Sequence, residues 1–114
     1  SDTFYEFSYP LMRQLDFPTL FCHKLVCDDT GKIVDYKLRQ PDPKRASVQA
    51  LHGLKFRVIA SGDSYNDVTM LSEANAGILF CPPQNVIDEF PQFPVAKSYA
   101  ELQAEFSKAS LRDL

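Results

Sequence analysis

Apolar positions change period along this 114-residue chain, and the changes divide it into helices and strands. Phe4, Phe7, Leu11 and Leu15 recur at helical spacing behind Thr3-Phe4-Tyr5-Glu6, whose Thr and Glu fit a capping box. Pro10 falls inside that pattern, where it costs about 3 kcal/mol, so a kink or a fresh helix start at Ser8 is expected. Asp16-Phe17-Pro18 ends the helix. Residues 19–27 then read as an extended run, and Asp28-Asp29-Thr30-Gly31 as turn chemistry. Residues 32–38 alternate, with Ile33, Tyr36 and Leu38 among polar neighbours. The two runs predict a β-hairpin near residues 24–38 with its tip at Thr30-Gly31.

Beyond a proline-punctuated loop at residues 40–44, Asp42-Pro43 forms an N-cap and first-turn pair, and the helix that follows would bury Val48, Leu51 and Leu54. The β-branched run at residues 56–60 reads as a strand. Ser64 caps the next helix, for which Asn75 and Gly77 supply a stop. Residues 76–80 form a short apolar strand that Pro82-Pro83 ends. One or two helical turns at 85–90, a loop at 91–94 and an edge strand at 95–97 follow. Ser98-Tyr99-Ala100-Glu101 is a second capping box, opening a last helix that carries Leu102 and Phe106 and frays over 111–114. Helices alternating with strands predict the α/β class, with a mostly parallel sheet.

Composition narrows the function. The chain is one domain or part of one, 45% hydrophobic and 24% charged, with a net charge of -3. That balance gives no electrostatic case for nucleic acid or an anionic membrane, and no apolar run approaches the ~20 residues that span a bilayer. The three cysteines, Cys22, Cys27 and Cys81, are odd in number and irregular in spacing, which argues against a disulfide framework and for a reducing compartment. Cys22-His23 with Cys27 lacks the paired spacing of a zinc site, and His23 and His52 read as surface or core histidines.

The chemistry concentrates at Ser61-Gly62-Asp63-Ser64-Tyr65-Asn66-Asp67, where a strand turns into a helix. Ligands of open α/β sheets bind at the carboxyl ends of strands. Two aspartates four apart there suit a hard cation such as Mg²⁺. Ser1-Asp2-Thr3 opens a helix, whose free N–H groups favour anions. Lys44 sits in the first turn of a helix, where its charge opposes the dipole, so a functional use outweighs simple exposure.

Ser1, Lys44 and the Gly62-Asp63-Ser64-Tyr65-Asn66-Asp67 string, in that order, resemble the haloacid dehalogenase superfamily of phosphotransferases. Asp42-Pro43-Lys44-Arg45, residues 76–80 and residues 89–94 narrow the resemblance to the phosphoserine phosphatase branch, and within it to the phosphoserine:homoserine phosphotransferase type. The resemblance covers essentially all 114 residues and makes them the C-terminal part of a phosphatase core domain. It implies a Rossmann-like three-layer sandwich in truncated form, with the first strand, the cap and most of the second strand upstream, so that parallel edges normally buried are exposed. The nucleophilic aspartate and its general acid/base would lie upstream too, and the 114 residues alone would be inactive.

By the same resemblance Lys44 is catalytic, Ser1, Asp2, Lys44 and Asn66 bind phosphate and substrate, and Asp63 binds Mg²⁺ while Asp67 orients the site from behind. The implied activity is Mg²⁺-dependent hydrolysis of L-phosphoserine through an aspartyl-phosphate, with water or homoserine as acceptor, in a cytoplasmic enzyme of serine or threonine metabolism and with a homodimer as its assembly. A phosphatase of another small phosphometabolite, or an inactive binding module, are the alternatives.

Overall fold

The computed structural model describes residues 1–111, which divide into two compact units, the first Ser1–Pro43 and the second beginning at Lys44. Of the fraying expected over 111–114, Leu111 is still helical and the remainder lies outside the described residues.

In the first unit, helix α1 spans Tyr5–Gln14 and is followed by an antiparallel hairpin of β1 (Lys24–Cys27) and β2 (Ile33–Lys37). The capping box does not form: Phe4 is the N-cap, and the Glu6 carboxylate instead accepts the Leu25 N–H at 3.0 Å. That bond ties the helix to the outer edge of β1. The helix runs through Pro10 rather than restarting at Ser8, whose Oγ donates to the Phe4 carbonyl at 2.9 Å. It ends as expected, with Asp16 and Phe17 at φ 61 and 53 and their N–H groups on the Arg13 and Met12 carbonyls. The extended run is shorter than expected: only Lys24–Cys27 pairs as a strand, and His23 forms one bridge to Phe4. The hairpin stands where the sequence places it. Asp28 closes the turn, its Oδ1 accepting from Thr30 Oγ1 and from the Thr30 and Lys32 N–H groups. Thr30's hydroxyl and the turn's N–H donors hold its carboxyl below the ordinary 3.8.

The second unit is a parallel three-stranded sheet in the order β3 (Ile59–Gly62), β4 (Ala76–Phe80), β5 (Val95–Ala96). Helices α2 (Pro43–Gly53), α3 (Val68–Glu73), α4 (Gln84–Glu89) and α5 (Tyr99–Leu111) accompany it. Ala60, Leu71, Leu79 and Val86 form its buried core, so Leu79 faces α3 and α4. Phe80, next along β4, points to the opposite face and meets Tyr99 of α5 at 5.3 Å between ring centroids. Helices on both faces give this unit the three-layer α/β arrangement expected.

Three local expectations are corrected. The strand at 56–60 begins only at Ile59 and runs on to Gly62. Leu54 does not bury; it is 69% exposed just past the end of α2. Gly77 is no helix stop but the second residue of β4, and a Cβ there would lie 2.7 Å from the Leu71 carbonyl oxygen. α3 and β4 approach too closely at that point for any side chain. The stop comes earlier, at Ala74, which leaves the helix with extended backbone. Asn75 serves instead as a brace: its Oδ1 accepts the Val58 N–H and meets His52 Nε2, each at 2.8 Å.

Candidate functional site

The carboxyl end of β3 carries the acidic string. After Gly62 the chain makes a single 3-10 turn, Tyr65–Asp67, before α3 begins. That turn folds Asp67 back over the strand end it has just left. A Cβ on residue 62 would stand 2.4 Å from Asp67 Cβ and 2.5 Å from its Cγ and Oδ2, so only glycine admits this return. The glycine is the part of the motif whose reason the sequence does not reveal. The available signal was its place at the last strand position before two aspartates.

Folded back, Asp67 is 4% exposed and saturated with donors. Its Oδ2 accepts the Asp63 N–H at 2.9 Å, the Ser64 N–H at 3.2 Å and the Ser64 hydroxyl at 3.3 Å. Its Oδ1 meets Lys44 Nζ at 2.5 Å. Burial alone would push the carboxyl up. The Lys44 ammonium and the Asp63 and Ser64 N–H groups outweigh that and hold it below the ordinary 3.8. Lys44 is the second residue of α2, a position the helix dipole disfavours, and the ion pair with Asp67 offsets that cost. A second bridge, Arg45 Nε to Glu73 Oε2 at 3.2 Å, joins α2 to α3 alongside.

The structure therefore brings Lys44, Asp63 and Asp67 together and gives the two aspartates different places. Asp67 is interior and fully engaged. Asp63 is exposed at the strand end, with only its backbone N–H drawn into the Asp67 cluster. Asn66 is exposed in the same turn. Tyr65 packs its ring on Phe90 at 5.8 Å and donates its hydroxyl to Glu89, whose carboxylate pushes the phenol's pKa up. Ser1 and Asp2 belong to the first unit, where both are exposed. There Ser1 N donates to the Phe21 carbonyl at 2.8 Å and its Oγ accepts the Thr3 N–H at 3.3 Å. Asp2 lies 4.0 Å from Nε2 of buried His23, whose Nδ1 accepts the Arg39 N–H at 2.9 Å. His23 is thus a core histidine with both ring nitrogens facing partners.

Among the described residues no three His, Cys, Asp or Glu side chains gather into a cage for a metal. What the site offers is a single accessible carboxylate, Asp63, backed by an interior ion pair. Such a donor set fits Mg²⁺, which keeps several waters and binds through one or two carboxylates together with phosphate oxygens. It does not fit zinc, which wants a closed set of nitrogen and sulfur ligands.

No family model matches the chain. Over its full length it is 68% identical to the phosphoserine phosphatase ThrH of Pseudomonas aeruginosa, covering 56% of that protein. It is 65% identical to a phosphoserine phosphatase of Pseudomonas syringae pv. tomato, covering 48% of it. The chain thus spans about half the length of the curated relatives it matches. Among solved structures, a substrate-bound phosphoserine phosphatase complex superposes with a TM-score of 0.69 at 19% identity, over 90% of this chain and 51% of that one. An unliganded probable phosphoserine phosphatase from Vibrio cholerae gives 0.73 at 20% identity, over 97% of this chain and 36% of that one. These structures share the α/β fold, and the two close relatives bear out the resemblance to the phosphoserine phosphatase branch.

Proposed function

We propose that the protein to which these residues belong is a Mg²⁺-dependent phosphoserine phosphatase, and that residues 1–114 are the C-terminal part of its core domain. The relatives named phosphoserine phosphatase support this reading. The observation that carries it is the division of labour between the aspartates: Asp67 fixes Lys44 at 2.5 Å, while Asp63 stands clear at the strand end.

Each residue's part follows from its surroundings. Asp67, already committed to four donors, positions Lys44 and does not touch substrate. Lys44 is held with its ammonium at the carboxyl end of the sheet, where it neutralises the charge of a phosphoryl group. Asp63 is the residue that would hold Mg²⁺, which when bound neutralises phosphate charge and supports in-line transfer. Asn66, exposed beside it, contacts the substrate. The family resemblance assigns phosphate binding to Ser1 and Asp2, and the covalent aspartyl-phosphate to a carboxylate outside this sequence. L-phosphoserine is the substrate, homoserine a second acceptor, a homodimer the assembly and the cytoplasm the compartment. Among the described residues no helix is long and apolar enough to cross a membrane.

The test is phosphate release from L-phosphoserine with Mg²⁺, with and without homoserine. It is run on the protein that carries this chain together with the remainder its relatives possess. Asp63→Asn abolishes Mg²⁺-dependent turnover, and Lys44→Ala lowers it about 10²-fold or more, the scale of removing one electrostatic stabiliser. Turnover at the wild-type rate in either variant removes that residue from the mechanism.

A further inference from the structure

Tyr65 stands inside the acidic string, between Asp63 and Asp67, and the chemistry assigned to its neighbours leaves it unused. Its side chain is nevertheless held at three points, all within the second unit. The phenol O–H donates to the Glu89 carboxylate, the phenol oxygen accepts Asn85 Nδ2 at 3.4 Å, and the ring meets Phe90 edge-on at 5.8 Å between centroids. Asn85 and Glu89 are four residues apart and share one face of α4, and Phe90 is that helix's C-cap.

The element that holds Tyr65 is itself firmly placed. Val86 of α4 is 0% exposed in the core with Leu71 and Leu79, and Phe90 packs against the same core. Ahead of α4, Cys81 turns the chain out of β4 with φ 48, and its N–H donates to the Ala96 carbonyl at 2.8 Å. The 3-10 turn Tyr65–Asp67 is therefore fixed at both ends by different parts of the fold. Asp67 ties its inner end to the close of β3 and to Lys44 on α2, and Tyr65 ties its outer end to α4. Asn66 is the residue between them, so the two ties together set where its side chain points. Asp63 precedes the turn, and its backbone is held by Asp67 without help from Tyr65.

We propose that Tyr65 is a positioning residue: through Glu89 and Asn85 it orients Asn66 toward the substrate and leaves the metal ligand Asp63 unaffected. The proposal rests on the phosphatase reading above for what Asn66 and Asp63 touch. It separates two roles within one turn, substrate binding under the control of α4 and metal binding under the control of Asp67. Tyr65→Phe isolates the latch, because the ring keeps its place on Phe90 and only the hydroxyl is lost.

The test is steady-state hydrolysis of L-phosphoserine with Mg²⁺ by the protein that carries this chain together with the remainder its relatives possess. Tyr65→Phe and Glu89→Ala each raise KM about fivefold, the factor that one partly exposed hydrogen bond is worth. Neither changes kcat or the Mg²⁺ concentration for half-maximal rate, the pattern of a lost binding contact. Glu89→Gln keeps an oxygen for the phenol and brings KM back toward the wild type. In an Asn66→Ala background, adding Tyr65→Phe raises KM no further, because the two residues act through one contact. A wild-type KM in Tyr65→Phe, or a loss that falls on the Mg²⁺ requirement instead, overturns the proposal. Amide exchange in the same protein reads the latch without turnover. The Val68 N–H donates to the Tyr65 carbonyl, so Tyr65→Phe speeds its exchange while the Asp63 N–H, bonded to Asp67, keeps its protection. A wild type that releases no phosphate overturns the phosphatase reading, and Val68 exchange unchanged by Tyr65→Phe overturns the latch.

Discussion

Replacing Asp67 by Asn tests whether the buried carboxylate is the structural centre of the site. The two side chains are nearly isosteric, so the change removes charge and one acceptor without opening a cavity. Asp67 Oδ1 faces Lys44 Nζ, and Oδ2 faces two backbone N–H groups and the Ser64 hydroxyl. An amide has one oxygen to share between these two sets. Whichever set meets the NH₂ group instead loses its acceptor, and a buried donor left unpaired costs about 1–3 kcal/mol. The lost attraction for Lys44 adds to this. Breaking a fully buried ion pair costs about 3–5 kcal/mol, but the Lys44 side chain is 19% exposed and water takes up part of its charge. The expected destabilisation is therefore about 2–3 kcal/mol at neutral pH. Its pH dependence has a definite sign. The Asp67 carboxyl titrates below 3.8 in the folded chain, so its contribution is complete above the unfolded value and is lost as pH falls through the folded one. Urea unfolding of wild type and Asp67→Asn across a pH series thus shows a gap that is full at neutral pH and narrows below 3.8. A gap under about 0.5 kcal/mol at neutral pH, within the noise of an ordinary surface substitution, refutes the reasoning. So does one that stays constant on acidification.

Three further substitutions, with a fourth as control, probe the packing of the second unit. Gly62→Ala drives a Cβ to 2.4 Å from Asp67 Cβ and should cost about 2–3 kcal/mol in urea unfolding. Gly53→Ala, where a Cβ meets nothing within 4 Å, is the control and should be neutral or stabilising; equal costs for the two glycines would remove the steric explanation. Gly77→Ala meets the Leu71 carbonyl oxygen at 2.7 Å, a backbone atom that cannot swing aside, so a comparable loss is expected and an unchanged unfolding midpoint would contradict it. Asn75→Ala removes the acceptor shared by Val58 N–H and His52 and should cost about 1–2 kcal/mol, with faster amide exchange at Val58 as its local signature.

The sequence revealed elements wherever one local signal dominated. Residues 76–80 are an uninterrupted apolar run and form β4 with those bounds. Ser98 caps α5, its Oγ accepting the Glu101 N–H at 3.2 Å, although the reciprocal half of the box is displaced by one residue, the Glu101 carboxylate accepting the Lys97 N–H at 2.6 Å. Readings failed where a tertiary partner outbid the local one. Glu6 has the right spacing for a capping box with Thr3, but the Leu25 N–H at the edge of β1 claims its carboxylate. Gly77 looks like a helix stop because glycine often is one, whereas here it permits a close approach between α3 and β4 that no sequence window contains. The site divides in the same way. Residue types at a strand end announced the chemistry, and the family resemblance gave Asp63 and Asp67 different roles. Why those roles differ depends on the fold-back over Gly62.

That fold-back explains why three residues separate the two aspartates. A single 3-10 turn between them returns Asp67 to the end of the strand that Asp63 has just left, so the second carboxylate can accept the first residue's own N–H. The bond pins the backbone of Asp63 while leaving its side chain outward. The same carboxylate reaches across to Lys44 on a different helix. One buried group thus sets the position of both an exposed anion and a cation, and its own charge is what makes the cation's otherwise unfavourable place at a helix start stable. It follows that Asp63→Asn and Asp67→Asn should damage the protein in different ways. The exposed aspartate can be neutralised with little effect on folding, so its loss would fall on the proposed metal-dependent chemistry alone. The buried one cannot be neutralised without depriving either Lys44 or the Asp63 and Ser64 donors of their acceptor, and without removing the charge that holds Lys44.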